Sequence, residues 1–146
     1  GASPAVSYFS PEKSRMENTI SCITEGIRVS VRTAYQAEKS SPLKDYYFFA
    51  YEIEISNESA HTVQLLTREW HITDAVGKKR LVQGEGVVGK QPTLKPHDKH
   101  RYVSYCDFAT MGGKMHGYFF MHRLSDDKMI PVKVPRFDLV VPFIGN

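Results

Sequence analysis

Short runs of alternating apolar and polar residues, cut by turn signals about every 8–12 residues, dominate this chain and dictate sheet structure. The clearest run is 46–56. Phe49, Tyr51, Ile53 and Ile55 fall on one face of a strand, with Glu52 and Glu54 on the other. Phe48 and Ala50 make the early part of that second face apolar as well. Residues 28–35 alternate in the same way, Val29, Val31, Thr33 and Tyr35 opposing Arg28, Ser30 and Arg32. Further strands are expected at 19–23, 63–73, 80–83, 100–105, 115–124, 129–134 and 137–144. Adjacent Leu65 and Leu66 break the alternation of one of them, which calls for a bulge near Thr67. Pro135 is expected to interrupt the last pair, and the prolines near the C-terminus mark an edge strand. Eight or nine strands with no helical period describe an all-β antiparallel sandwich or barrel. The polar stretch 36–45, which holds Pro42, reads as a lid or as a bridge between two sheets.

A length of 146 residues suits one domain. A domain of that size buries roughly 68–70% of its unfolded surface, so it needs neither disulfides nor metal to fold. Residues 1–18, rich in Ser and Pro and lacking a signal-type apolar core, read as a disordered leader, a linker or an expression remnant, with 19–146 as the folded domain. A net charge of +3 is too small to imply nucleic-acid binding, and Lys78-Lys79-Arg80 reads as a solvated hairpin tip or, as the lesser alternative, a phosphate contact. Cys22 and Cys106 have no metal-type spacing and make a poor disulfide framework, so they read as unpaired buried thiols of a reducing compartment. No apolar run approaches the ~20 residues that cross a bilayer. The expected location is intracellular and cytoplasmic, or organellar if the leader belongs to a transit region.

Midway along the chain stands Gly84-x-Gly86-x-x-Gly89, the bare pattern of a dinucleotide-binding loop. Such a loop works by feeding a helix whose N-terminal amides hold the pyrophosphate. Here Gly89 is followed by Lys-Gln-Pro-Thr-Leu-Lys-Pro, which cannot start one. Two uses remain. The glycines can shape a passage from one sheet to the other. Alternatively, Gly84, Gly86, Val87, Val88, Gly89 and Lys90 can form a nest of backbone amides for a small anion such as phosphate or pyrophosphate, with Lys90 adding charge and Glu85 subtracting it.

Other chemistry is thin. Of six histidines only His97-x-x-His100 is a close pair, and no Cys or second His pair completes a zinc set. Ser104 and Cys106 lie in one strand rather than in a nucleophile elbow. Glu52 and Glu54 project about 7 Å apart, close to a glycosidase spacing but equally the pattern of an exposed strand face. No metal or cofactor is called for. The chain has eight Tyr, eight Phe and one Trp, more aromatic side chains than a sandwich core needs. Some of Tyr46, Tyr47, Tyr105, Tyr118, Phe119 and Phe120 are therefore expected outside, as a binding patch.

Several segments together resemble the ApaG family, the domain of unknown function 525. They are Phe49-Ala50-Tyr51 with Ile53 and Ile55; Val63-Gln64-Leu65-Leu66 with Arg68, Trp70, Ile72, Asp74 and Gly77; 82–89 with Pro92 and Pro96; Tyr102, Ser104, Gly113, Met115, Gly117 and Tyr118; and 134–137. The resemblance implies a fibronectin type III-like or immunoglobulin-like antiparallel β-sandwich. The family's domain also occurs fused to F-box proteins and in a polymerase delta-interacting protein. Those settings imply a non-catalytic module that recruits a partner protein, with no nucleic acid and no membrane. Its bacterial gene neighbours, a diadenosine tetraphosphate hydrolase among them, make a dinucleoside polyphosphate or other phosphorylated ligand the alternative. The expected interaction surface is Tyr47, Arg68, His71, Tyr105, Tyr118 and Phe120.

Overall fold

The computed structural model describes residues 19–142; the leader expected at 1–18 lies outside them. Nine strands follow one another: β1 (Ile20–Thr24), β2 (Ile27–Tyr35), β3 (Tyr47–Asn57), β4 (Val63–Asp74), β5 (Lys79–Glu85), β6 (Thr93–Leu94), β7 (Lys99–Phe108), β8 (Gly112–Arg123) and β9 (Lys128–Val140). They form two antiparallel sheets packed face to face. The first runs β1-β2-β3-β7 and the second β5-β4-β8-β9, with the short β6 beside β4. Of the sandwich or barrel that the strand pattern allows, this is the sandwich, as the family resemblance implies.

Alternation decides which side chains meet between the sheets. Val29, Val31, Tyr47, Phe49, Tyr51, Ile53 and Ile55 face inward from the first sheet; Leu65, Trp70, Met115, Phe119, Val132 and Leu139 face them from the second. Trp70, 3% exposed, is the hub. Its ring lies 5.6 Å from Tyr51, 5.9 Å from Phe137 and 6.1 Å from Phe119, each contact steeply inclined, the arrangement that aromatic quadrupoles favour. Asn57 is the deepest polar side chain. Its Nδ2 donates to His61 O at 2.7 Å and Leu94 O at 2.9 Å, tying the β3–β4 turn to β6.

The bulge expected near Thr67 is present: the β4–β8 register shifts between Leu65 and Thr67. Two expectations are corrected. Pro135 does not end a strand. The β8–β9 register slips between Met115 and Gly117, so Pro135 and Arg136 form a bulge inside one long β9. β9 is an edge strand, where a missing N–H leaves no ladder bond unmade. Residues 36–45 do not bridge the sheets. They join the adjacent strands β2 and β3 through two 3-10 turns, Ala37–Lys39 and Pro42–Lys44. The prolines after the glycine loop still leave room for a two-residue strand, β6, which pairs with Val63 and Gln64. Residues 143–144 of the last expected strand lie outside the described ones.

One flank of the sandwich is closed by β1 against β9. Cys22 Sγ donates to Lys133 O at 3.2 Å, and Lys133 N–H to Thr24 Oγ1 at 3.1 Å. On the other flank Arg80 of β5 reaches the first sheet, donating to Cys106 Sγ at 3.1 Å and to Asp107 O, with its guanidinium 5.6 Å from the Phe108 ring.

Candidate functional site

The glycine loop leaves β5 and turns at once. Gly86 N–H donates to Leu66 O at 2.8 Å, Val87 N–H to Lys90 O at 2.8 Å, and Lys90 N–H to Val87 O at 3.0 Å. The turn's central residues, Val88 and Gly89, have φ of 47° and 75°, the type I′ arrangement. Val87 drops into the core at 1% exposure. Three of the amides expected in an anion nest are thus committed to backbone carbonyls. What the loop offers is carbonyl oxygen: Arg68 Nη1 donates to Glu85 O at 2.9 Å and Gly86 O at 3.0 Å.

Each glycine of the motif has a structural use. Gly84 is the β5 partner of Arg68, and a Cβ on it would lie 2.9 Å from Arg68 Nη1. Gly86 (φ 64°) passes so close to the Lys90 carbonyl that a Cβ would collide with it. Gly89 needs its positive φ but has open space around it. After this turn the chain runs through β6 to β7, so the loop does begin the passage from one sheet to the other.

The six residues expected on one interaction surface are divided. Tyr47 is corrected to the core: it is 9% exposed, because it shares strand parity with Phe49 and Tyr51. Arg68 follows the β4 bulge on the inner side and anchors the glycine loop. His71, Tyr118 and Phe120 lie on the outer face of the second sheet, and Tyr105 on the opposite outer face, that of the first sheet. Tyr118 and Phe120 are half-buried neighbours with ring centres 6.2 Å apart.

Two groupings were not anticipated. On the first sheet Tyr46, Phe48 and Tyr105 form a row, with ring centres 6.1 Å and 5.4 Å apart and planes inclined by 20° and 16°. Tyr46 is 39% and Tyr105 41% exposed, and Lys39 Nζ lies 5.9 Å from the Tyr105 ring. Ala34, Ala50 and Val103 form the small apolar floor beside them. Parity puts Phe48 outward; its meeting with Tyr105 needs the β3–β7 register, which no local pattern carries. On the second sheet His71 and His116 are cross-strand partners whose rings stack at 4.9 Å and 7°. His71 Nε2 also contacts Glu69 Oε2 at 2.9 Å, and Gln83 Nε2 donates to Glu69 Oε1 at 2.8 Å. Those two bonds hold the Glu69 carboxyl below the usual carboxylate range.

The remaining candidates for chemistry have structural partners. Glu52 pairs with Arg32 at 2.7 Å, and Glu54 with Arg101. Cys106 is buried, and that burial pushes its thiol up despite the neighbouring Arg80, so the thiolate is disfavoured. Cys22 is half-buried rather than buried. His97 sits in an exposed turn, while His100 faces inward from β7, so the two do not converge. Among the described residues no group of three His, Cys, Asp or Glu side chains is arranged to hold a metal ion. None of the described helices is long and apolar enough to cross a membrane.

A similar sandwich and a similar sequence recur in known proteins. Residues 37–123 match the family model DUF525, described as the ApaG domain. The chain is 41% identical over 120 residues to Protein ApaG of Mesorhizobium japonicum, covering 82% of this chain and 92% of that one. It is 42% identical over 122 residues to Protein ApaG of Brucella abortus, covering 84% and 93%. The crystal structure of the "Putative ApaA Protein from Bordetella pertussis" superposes with a TM-score of 0.76 at 34% identity, covering 84% of this chain and 95% of that one. With residues 37–123 matched by the family model and most of its length aligned with these relatives, the chain belongs to the ApaG domain family.

Proposed function

We propose that this protein is a non-catalytic module that recruits a partner protein, and that it docks the partner on the outer face of the β1-β2-β3-β7 sheet. The supporting observation is the exposed row Tyr46–Phe48–Tyr105 beside the floor of Ala34, Ala50 and Val103. Tyrosine combines a large contact area with few rotatable bonds and is favoured where binding energy concentrates. The row is bordered by charges already neutralised within the fold, Arg32–Glu52 and Arg101–Glu54. An extended apolar segment of the partner would cover the ring faces and leave those ion pairs at the rim. The loop before β3 adds Leu43, which is fully exposed.

The test is affinity capture with the wild-type chain and with a Phe48→Ala/Tyr105→Ala variant whose thermal melt is still cooperative. A partner held by the first and lost by the second is the expected outcome. Equal capture by both would remove this face from consideration.

A further inference from the structure

The outer face of the second sheet carries a cleft of about 470 Å³ lined by His71, Lys79, Lys114, His116 and Arg136. Three strands and a bulge bring these groups together. Thr73 of β4 has Lys79 as its β5 partner and Lys114 as its β8 partner. Two residues back, His71 stacks on His116. Arg136 comes from the β9 bulge opposite His116, and bulges commonly re-aim a side chain in this way.

Several cations elsewhere on the surface are already paired. Arg28 is paired with Glu58, Arg32 with Glu52, Arg101 with Glu54 and Arg123 with Asp126. Lys79, Lys114 and Arg136 have no carboxylate within ion-pair distance among the described residues. No carboxylate lines the cleft. Of the acids nearby, Glu69 is held by His71 and Gln83, Asp138 faces Lys114 across β8–β9 without an ion pair, and Asp74 and Asp107 line a neighbouring cleft that shares Lys79. Cations held together on rigid strands without ion-pair partners repel one another, and an anion placed among them removes that cost.

We propose that this cleft binds a phosphate-type oxyanion, contacted by Lys79, Lys114 and Arg136, with the Thr73 hydroxyl and the His116 ring as further hydrogen-bonding groups. Tetrahedral oxyanions suit such a set, because several donors converge on one compact acceptor. The same field reaches His116: burial first, then His71, Arg136, Lys133 and Lys79, hold its pKa below the ordinary histidine value. The cleft lies on the face opposite the Tyr105 row and is separate from the glycine loop, so the inference stands or falls apart from the partner-binding reading.

The experiment is a titration of isotope-labelled protein with sodium phosphate at pH 7.5, followed by NMR, with ionic strength held constant by sodium chloride. Saturable shifts are expected at the His71 and His116 ring protons and at the Leu81 and Lys114 amides. The His116 titration midpoint should rise when phosphate is bound. Arg136→Gln and Lys114→Gln change exposed side chains, so they should fold as the parent does, checked by thermal melting. Each should weaken binding about tenfold or more, the effect of one charge-assisted hydrogen bond. A linear drift equal to that in chloride alone would overturn the proposal. So would binding undiminished in both variants, or saturable shifts confined to 84–90.

Discussion

Arg68 lies over Gly84, its partner on the neighbouring strand, and reaches past it to bond the carbonyls of Glu85 and Gly86. A Cβ on Gly84 would sit 2.9 Å from Nη1 and 3.1 Å from Cζ, so the guanidinium would have to shift. Gly84→Ala should therefore push the guanidinium off its acceptors and cost about 1–3 kcal/mol, the range for leaving partly buried polar groups unpaired. Arg68→Ala removes the same bonds and should cost a similar amount. Because both changes break one interaction, the double variant should fall short of the sum by about 0.5 kcal/mol or more. Denaturant unfolding of the four proteins measures this, and strictly additive losses would mean that the pair does not act as a unit.

The turn beyond Gly84 contains a conflict that a single substitution should relieve. Val88 has φ 47°, a conformation that β-branched residues adopt poorly. Asn-Gly is the preferred central pair of a type I′ turn, and Gly89 already supplies its second half. Val88→Asn should stabilise the protein by about 1 kcal/mol, or roughly 4 °C in Tm for a domain of this size. Gly86→Ala should act in the opposite sense, because its Cβ would meet the Lys90 carbonyl. A melt in which Val88→Asn unfolds earlier than the parent would contradict the turn assignment.

Why some of this was legible in the sequence and some was not follows from range. Parity along one strand is local, so the inward set Phe49, Tyr51, Ile53 and Ile55 could be read directly, and Tyr47 belongs to it by the same rule. The adjacent Leu65 and Leu66 announced the β4 bulge because a break in alternation is also local. The absence of a helix after Gly89 could be read from Pro92 and Pro96. What could not be read depends on register between distant strands. His71 meets His116, and Phe48 meets Tyr105, only through pairings that other contacts fix. β6 escaped notice because two residues between prolines carry no period; its place is set by Val63 and by the Asn57 side chain bonding Leu94 O. The glycine motif misleads for a related reason. Its spacing fits a phosphate loop, but its carbonyls turn toward an arginine that lies on another strand.

Acid should unfold the protein in two stages. Burial comes first among the causes that hold His100 and His116 below the ordinary value of about 6.5. His100 Nε2 is buried without a protein hydrogen-bond partner, which favours its neutral form. Both rings are thus harder to protonate in the fold than in the unfolded chain. Their contribution to stability is full above about pH 6.5 and is lost as pH falls through their depressed values. The carboxylates behave alike but at lower pH. Asp126, bonded to Arg123, is held down at about 2, and Glu58 is lowered by its bond to Arg28. Their contributions should disappear only below about pH 4.5. The urea midpoint recorded from pH 7.5 to 3 should show the first fall in the histidine range, and His100→Phe should reduce it. A midpoint unchanged down to pH 5 would refute the histidine assignment.

Tyr47 and Tyr105 differ sharply in burial, and the proposed docking face gives them opposite expected effects. Tyr47 is 9% exposed inside the core, whereas Tyr105 is 41% exposed and stacked on Phe48 at 5.4 Å. Tyr47→Ala should cost about 3–5 kcal/mol through lost burial and the cavity left behind. Tyr105→Ala should cost about 1 kcal/mol, since it gives up only a surface ring contact. Partner capture should respond the other way round when each variant is assayed well below its own melting temperature. Tyr105→Ala should lose the partner while remaining folded; Tyr47→Ala should retain it for as long as it stays folded. Equilibrium unfolding joined to capture at matched folded concentration tests both halves. If the two variants lost stability equally, Tyr105 would be part of the core and the outer face of the first sheet would not be free to bind.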